Sequence, residues 1–127
     1  MNLLLDTHIL LWWDGSDPAL NPKIREMIRT QDDNVFVSAA SVLEIAIKRR
    51  LGKLTFQGPI AASIGGSGFH ELPILPIDGE NAGNLEWDHA DPFDRLLVVQ
   101  AIRLGFTLLT ANRSIRAFGG VAQIWAG

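Results

Sequence analysis

The chain has 127 residues, 47% of them hydrophobic and 20% charged, which is the size and make-up of one globular domain spanning residues 1–127. It contains no cysteine, which excludes disulfides, thiolate zinc sites and cysteine nucleophiles and suits a reducing compartment. A net charge of −3 is a poor match to a simple electrostatic DNA binder, and no apolar run approaches the roughly 20 residues that span a membrane.

The first residues lack a basic leader and meet an acid early, so a cytoplasmic location is expected. Asn2 to Leu5 is a short apolar run that reads as a buried strand ending at Asp6. Thr7 to Trp13 reads as helix or turn, and the stretch from Asp14 to Pro18 as a loop. Pro22 to Thr30 spaces Ile24, Met27 and Ile28 as an amphipathic helix. Asp32, Asp33 and Asn34 form a turn before a second strand, Val35 to Val37. Ser38 to Leu51 is a helix ended by Gly52.

Ile60 to Ile64 is a short helix that the glycines from Gly65 onward should stop. Phe69 to Ile77 carries two prolines and reads as a weak strand near an edge. Asp78 to Trp87 suggests another short helix. Pro92 to Leu104, closed by Gly105, has the strongest helical pattern in the chain. A strand over Phe106 to Leu109, a helix over Asn112 to Phe118 and a strand over Val121 to Trp125 complete the pattern. Strands alternating with helices imply an α/β fold with a parallel sheet covered on both faces. Ligands in such folds sit beyond the carboxyl ends of the strands.

That rule directs attention to acids just past strands or at helix starts. Asp6 follows the first strand, where it could also cap the next helix. Ser41-x-x-Glu44 has the form of a capping box, and Glu44 lies four residues before Lys48, a stabilising helical spacing. If that helix instead begins at Ser38, Glu44 stands on its second turn and projects freely. Asp91 followed by Pro92 fits an N-cap and first helical position, which puts Asp94 at the third. One cap suffices, so Asp94 is a surplus acid. Asn112 can be an N-cap or offer an uncharged oxygen to a cation. Carboxylates converging on one sheet edge need a compensating cation to stay ionised together. Mg2+ or Mn2+ prefers oxygen ligands and suits hydrolysis of a phosphodiester.

Four segments in this order resemble a known family. They are Leu4-Leu5-Asp6-Thr7-His8; Ser38-Ala39-Ala40-Ser41-Val42-Leu43-Glu44-Ile45 with Lys48; Asp91-Pro92-Phe93-Asp94-Arg95-Leu96-Leu97; and Leu108-Leu109-Thr110-Ala111-Asn112. Together they resemble the PIN-domain ribonucleases, and within them the VapC-type toxins of toxin–antitoxin pairs.

The resemblance covers essentially the whole chain. It implies a three-layer α/β/α fold with a parallel sheet of about five strands. It also implies Mg2+- or Mn2+-dependent cleavage of RNA that inhibits translation and growth, a homodimer, and a cognate VapB-type antitoxin. Carried over by position, Asp6, Glu44 and Asp94 would be the catalytic, metal-binding acids. Asp91 and Asn112 would be additional ligand positions, and Thr7 and Thr110 hydroxyls lining the site. Activated water would attack phosphorus in line and leave a 5′ phosphate and a 3′ hydroxyl. Apart from the resemblance, Arg95 or the cluster Lys48, Arg49, Arg50 and Lys53 offers charge for flanking phosphates, a reading that solvated helix surfaces match equally well. The family often has aspartate where this chain has Asn112, which removes one negative charge and leaves a catalytically inactive PIN-fold binding module as the alternative.

Other assignments fit less well. A signalling receiver domain needs an acidic pair after the first strand and a late lysine, but no lysine follows Lys53. An aspartyl-nucleophile phosphatase needs a second acid two residues after Asp6, where this chain has His8. His8, His70 and His89 do not form a metal-ligand spacing and are expected to be structural. Of Trp12 and Trp13, one is expected in the core and the other on a partner surface.

Overall fold

The computed structural model describes residues 1–31 and 34–127; the turn expected at Asp32 and Asp33 lies outside the described residues. In chain order the elements are β1 (Leu3–Leu5), α1 (Thr7–Asp14), α2 (Pro22–Thr30), β2 (Val35–Ser38), α3 (Ala39–Arg50), α4 (Ile60–Gly66), β3 (His70–Leu72), α5 (Pro76–Asn84), α6 (Pro92–Leu104), β4 (Thr107–Thr110), α7 (Arg113–Phe118) and β5 (Gln123–Trp125). The strands form a five-stranded sheet in the order β3-β2-β1-β4-β5, and every neighbouring pair is parallel.

Alternation along the strands divides the core. Leu3, Leu5, Val35, Val37 and Leu109 face a cluster with Ile9 and Leu10 of α1, Ile24 and Ile28 of α2, Ile45 of α3 and Ile64 of α4. Leu4 and Leu108 face the other way, toward Leu97, Val98 and Ala101 of α6 and Ile115 of α7. A period of two thus sends successive side chains into two helical layers, giving the expected α/β/α sandwich. Leu3, Leu4 and Leu5 are all fully buried, as a central strand covered on both faces requires.

Element boundaries depart from the sequence expectation where packing or capping overrides composition. The glycines do not stop α4 at Ile64; the helix continues through Gly66. Ile60 and Ile64 anchor it in the core, and the left-handed Gly68 (φ 76°) follows its end. The expected strand over Phe69–Ile77 shrinks to three residues on the sheet edge. Pro76 then opens α5 two residues earlier than expected, because proline fits the first helical position and Asp78 accepts the Leu75 N–H at 2.9 Å. The helix ends at Asn84, so Trp87 lies beyond it. Among the described residues, no helix is long and apolar enough to cross a membrane.

Trp12 and Trp13 are both half-buried and both pack on the first core cluster, so the expected division into one core and one surface ring does not hold. Trp13 is tied down by Phe69, at 5.5 Å between ring centroids, and by an indole N–H donated to Ser67 at 3.2 Å.

Candidate active site and metal centre

Strand order reverses between β1 and β4. β2 and β3 lie on one side of that pair, β5 on the other. The carboxyl edge at such a switch point is an open crevice, because the flanking connections depart to opposite faces. Asp6 leaves β1 and Thr110 ends β4 at this crevice. β2 ends there at Ser38 and feeds α3. α6 leads into β4 and runs back along the sheet, so its first turn lies over the same edge. Three chain segments therefore deliver acids to one place.

Asp6 caps α1, its Oδ1 accepting the Ile9 N–H at 3.0 Å. Its Oδ2 accepts the Thr110 hydroxyl at 2.5 Å and the Ala111 N–H at 3.0 Å. Capping and site formation are thus one arrangement, since the second oxygen is held across β1 and β4. Burial pushes the Asp6 carboxyl above its ordinary value, against the hydrogen bonds from Thr110, Ile9 and Ala111.

Ser38, not Ser41, is the N-cap of α3; its hydroxyl accepts the Ala40 N–H at 3.0 Å. Glu44 therefore sits on the second turn, and the capping-box alternative is excluded. The acid is 6% exposed. Its Oε1 accepts the Thr7 hydroxyl at 2.6 Å and its Oε2 pairs with the Lys48 ammonium at 2.7 Å. Thr7 also lies 3.0 Å from the Ser41 hydroxyl, which joins the first residue of α1 to α3.

Asp91 is the N-cap of α6, with Oδ1 accepting the N–H groups of Phe93 at 2.8 Å and Asp94 at 3.0 Å. Asp94, now relieved of capping, turns its Oδ2 to His89 Nε2 at 2.6 Å and to the Asn112 amide at 3.0 Å. Burial raises its carboxyl above the ordinary value; the His89 contact opposes this, and the charges of Asp91 and Glu44 reinforce it. That mutual repulsion places Glu44, Asp91 and Asp94 in one field. Asp6 joins them through hydrogen bonds: Thr110 Oγ1 donates to Asp6 and accepts the Asn112 N–H at 2.9 Å, and Asn112 donates on to Asp94.

Of the two readings open for Asn112, helix cap or cation ligand, the structure has the cap: its amide oxygen accepts the N–H groups of Ser114 at 2.9 Å and Ile115 at 3.1 Å at the start of α7, and the NH2 group faces Asp94. Asn112 therefore presents a donor to the site. Arg95 was expected to hold a phosphate. Its guanidinium is spent on backbone carbonyls: Nε on Ala82 at 2.8 Å, Nη1 on Trp87 at 2.8 Å and His89 at 2.9 Å, and Nη2 on Leu85. It pins the loop that carries His89. Arg49 is likewise bonded to the Gly58 carbonyl at 2.8 Å, away from the acids.

His89 is the residue that sequence reasoning missed. One ligand atom each of His89, Asp91 and Asp94 lie within 4.8 Å of one another. The signal was His-x-Asp-x-x-Asp, with the imidazole on the loop entering α6. A search for histidine paired with histidine passes over it. The donor set is carboxylate oxygen with one imidazole. Burial raises both Asp6 and Asp94, and at Asp94 the charges of Asp91 and Glu44 add to it, so the oxygen-rich donor set fits a hard divalent cation such as Mg2+ or Mn2+.

The sequence pattern of the PIN domain matches residues 3–121. The chain belongs to the PIN-domain family. Among curated proteins this PIN domain is similar to Ribonuclease VapC22 of Mycobacterium tuberculosis, at 27% identity over 118 residues, covering 91% of this chain and 90% of the relative. Its fold matches the crystal structure of DNA-bound VapBC from Salmonella typhimurium with a TM-score of 0.75 at 17% identity, over 100% of this chain and 99% of the other. It also matches VapBC2 from Rickettsia felis bound to a promoter DNA fragment, with a TM-score of 0.72 at 14% identity over the full length of both chains. At such identities the likeness is one of fold, and it agrees with the five-stranded parallel α/β/α architecture.

Proposed function

We propose that this PIN domain is a Mg2+- or Mn2+-dependent endoribonuclease of the VapC type, a cytoplasmic toxin whose RNA cleavage inhibits translation and growth and which is restrained by a VapB-type antitoxin. The observation that carries this reading is the close grouping of His89, Asp91 and Asp94 at the switch-point edge of the sheet, to which Asp6 is linked through Thr110 and Asn112 and Glu44 by its charge. The similarity to a VapC ribonuclease over nearly the whole chain supports the activity, and the VapBC complexes of like fold support the partner.

In this reading Asp6, Glu44 and Asp94 hold the cation, with Asp91 and His89 beside them. A bound divalent ion supplies activation of water and offsets charge at phosphorus. The rest falls to the chain. Thr7 and Thr110 fix the orientations of Glu44 and Asp6, and His89 and Asn112 fix that of Asp94. Preset carboxylates need no reorganisation at the moment of reaction. A homodimer is part of the same reading. Exposed apolar residues on α3 and at its C-cap (Leu43, Ile47 and Leu51) and around α5 and α6 (Leu75, Ile77 and Ile102) are surfaces that a partner chain would cover.

The test is incubation of total cellular RNA with the protein and Mg2+, Mn2+ or a chelator, followed by mapping of the new 5′ ends. Cleavage that requires metal, leaves 5′ phosphates and disappears in Asp94→Asn supports the nuclease. Metal binding without cleavage of any RNA would instead support the inactive binding module.

A further inference from the structure

Lys48 is more than a helix-surface partner for Glu44. In an ordinary i,i+4 pair both groups stand in water and the pair contributes little. Here the Glu44 side chain is only 7% exposed, against 39% for Lys48. The ammonium is therefore the counter-charge of a buried acid, delivered from the solvent side. Its charge also acts on Asp91 and Asp94 at the start of α6, so the ammonium shares the electrostatic field of the acid cluster while its direct contact is with Glu44 at 2.7 Å. Thr7 already holds the other Glu44 oxygen. Without metal, both oxygens of Glu44 are thus committed, one of them to a cation of the protein's own.

A divalent ion among these acids would compete with the ammonium for Glu44 and repel it. Lysine carries a compact charge on a flexible stem, and this side chain is 39% exposed, so it can swing away without unfolding anything. Beside the site, its natural new partner is an anion arriving with the substrate. Arg95, Arg49 and Arg103 are already bonded to carbonyls or to Asp78 and offer no such mobility.

We propose that Lys48 is an internal stand-in for the divalent cation: it neutralises Glu44 in the metal-free protein, leaves that carboxylate when the ion binds, and then contacts a non-bridging oxygen of the RNA phosphate being cut. This exchange rests on the nuclease reading above. It gives Lys48 opposite effects on metal binding and on cleavage, which a purely structural lysine would not have.

Mn2+ binding, followed by the electron paramagnetic resonance of free Mn2+ without RNA, separates the two effects when combined with single-turnover cleavage at saturating Mn2+. Lys48→Met should bind Mn2+ about fivefold more tightly, because a like charge is gone. It should nevertheless cleave roughly 10- to 100-fold more slowly, because a preplaced cation at the phosphate is gone. Lys48→Arg should stay near wild type in both, and Lys48→Gln, checked by thermal unfolding, guards against a folding defect in the methionine variant. If wild type binds Mn2+ and cleaves RNA but Lys48→Met and Lys48→Gln bind Mn2+ no more tightly, the exchange is wrong and the nuclease stands. Tighter binding with an undiminished rate refutes the phosphate contact. A wild-type protein that neither binds Mn2+ nor cleaves RNA overturns the nuclease reading and the exchange with it.

Discussion

Asn112 donates its side-chain amide to Asp94 at 3.0 Å while its amide oxygen caps α7. A neutral residue at this point bonds to an ionised Asp94 where a carboxylate would repel it. At the proposed metal site the chain has less charge than an aspartate would give, and the metal-free state avoids one repulsion. Asn112→Asp should restore both. Aspartate caps a helix as well as asparagine, so α7 should survive. Two carboxylates at hydrogen-bond distance should cost the metal-free protein about 1 kcal/mol, seen as a lower Tm. Saturating Mn2+ should restore the Tm, and Mn2+ should bind about tenfold more tightly, because ligand charge sets affinity at such sites. Calorimetric titration and thermal unfolding with and without Mn2+ check both. A metal-free Tm at or above wild type would show that Asn112 is no relief for Asp94.

Asp94 gives the site a pH dependence of its own. Burial, Asp91 and Glu44 raise its folded carboxyl above the ordinary value despite His89. Between the unfolded value of about 3.9 and the higher folded one, the native state binds more protons than the unfolded state. Metal-free stability then falls as pH rises through that window. Asp94→Asn abolishes the ionisation, so its Tm should exceed that of wild type by a margin that grows from pH 4 to pH 7. The same variant should lose the stabilisation by Mn2+, and its RNA cleavage should drop by roughly 100-fold or more. Thermal unfolding across pH, with and without Mn2+, tests the sign; a margin that shrinks toward neutral pH contradicts it.

The sequence-based expectations succeed where a local rule and the tertiary structure agree. Pro92–Leu104 is helical with the expected bounds because Asp91 caps one end and Gly105, at φ 67°, closes the other. The placement of Asp6, Glu44 and Asp94 toward one sheet edge is legible because Asp6 follows a strand end, Asp94 a helix start and Glu44 the second turn of a helix that starts there. What escaped was the direction of side chains. Nothing in the spacing says that the Asn112 oxygen turns to α7, that Arg95 is absorbed by the carbonyls of the α5–α6 loop, or that His89 folds back onto Asp94. Each depends on where a distant backbone places its unpaired N–H or C=O group. The start of α5 was missed for a similar reason, because Asp78 caps the Leu75 N–H from inside the helix.

Arg95 should matter for stability and only indirectly for chemistry. Its donors satisfy the carbonyls of Ala82 in the last turn of α5 and of Leu85, Trp87 and His89 between α5 and α6. Arg95→Ala should destabilise by about 3 kcal/mol, since several half-buried acceptors lose their donor together. Arg95→Lys should recover little of this, because a point charge cannot reproduce the planar fork. With His89 loosened, Mn2+ affinity should weaken while binding of RNA to the metal-free protein stays unchanged. A variant of wild-type stability with weakened RNA binding would return Arg95 to the role of a phosphate ligand.

Asp78 and Arg103 tie α5 to α6 far from the acids of the site, and their pH dependence has the opposite sign. Asp78 is fully buried, yet it accepts Arg103 Nε at 2.6 Å and Nη2 at 3.0 Å as well as the Leu75 N–H at 2.9 Å. Burial opposes its ionisation, but the guanidinium and the backbone N–H outweigh it and hold the carboxyl below its ordinary value. A depressed folded value contributes stability that is present above the unfolded carboxylate value of about 3.9 and lost as pH falls through the folded one. Asp78→Asn should therefore have a lower Tm than wild type at pH 7, with the difference closing as pH drops below about 4. Arg103→Met should be the more damaging change, because it strands a buried carboxylate left with only the Leu75 N–H and the neutral Gln100 side chain. Cleavage by folded Asp78→Asn should match wild type at a temperature well below its Tm. Equal acid sensitivity of Asp78→Asn and wild type, measured by circular dichroism from pH 2 to pH 7, would show that this pair carries no part of the acid-side stability.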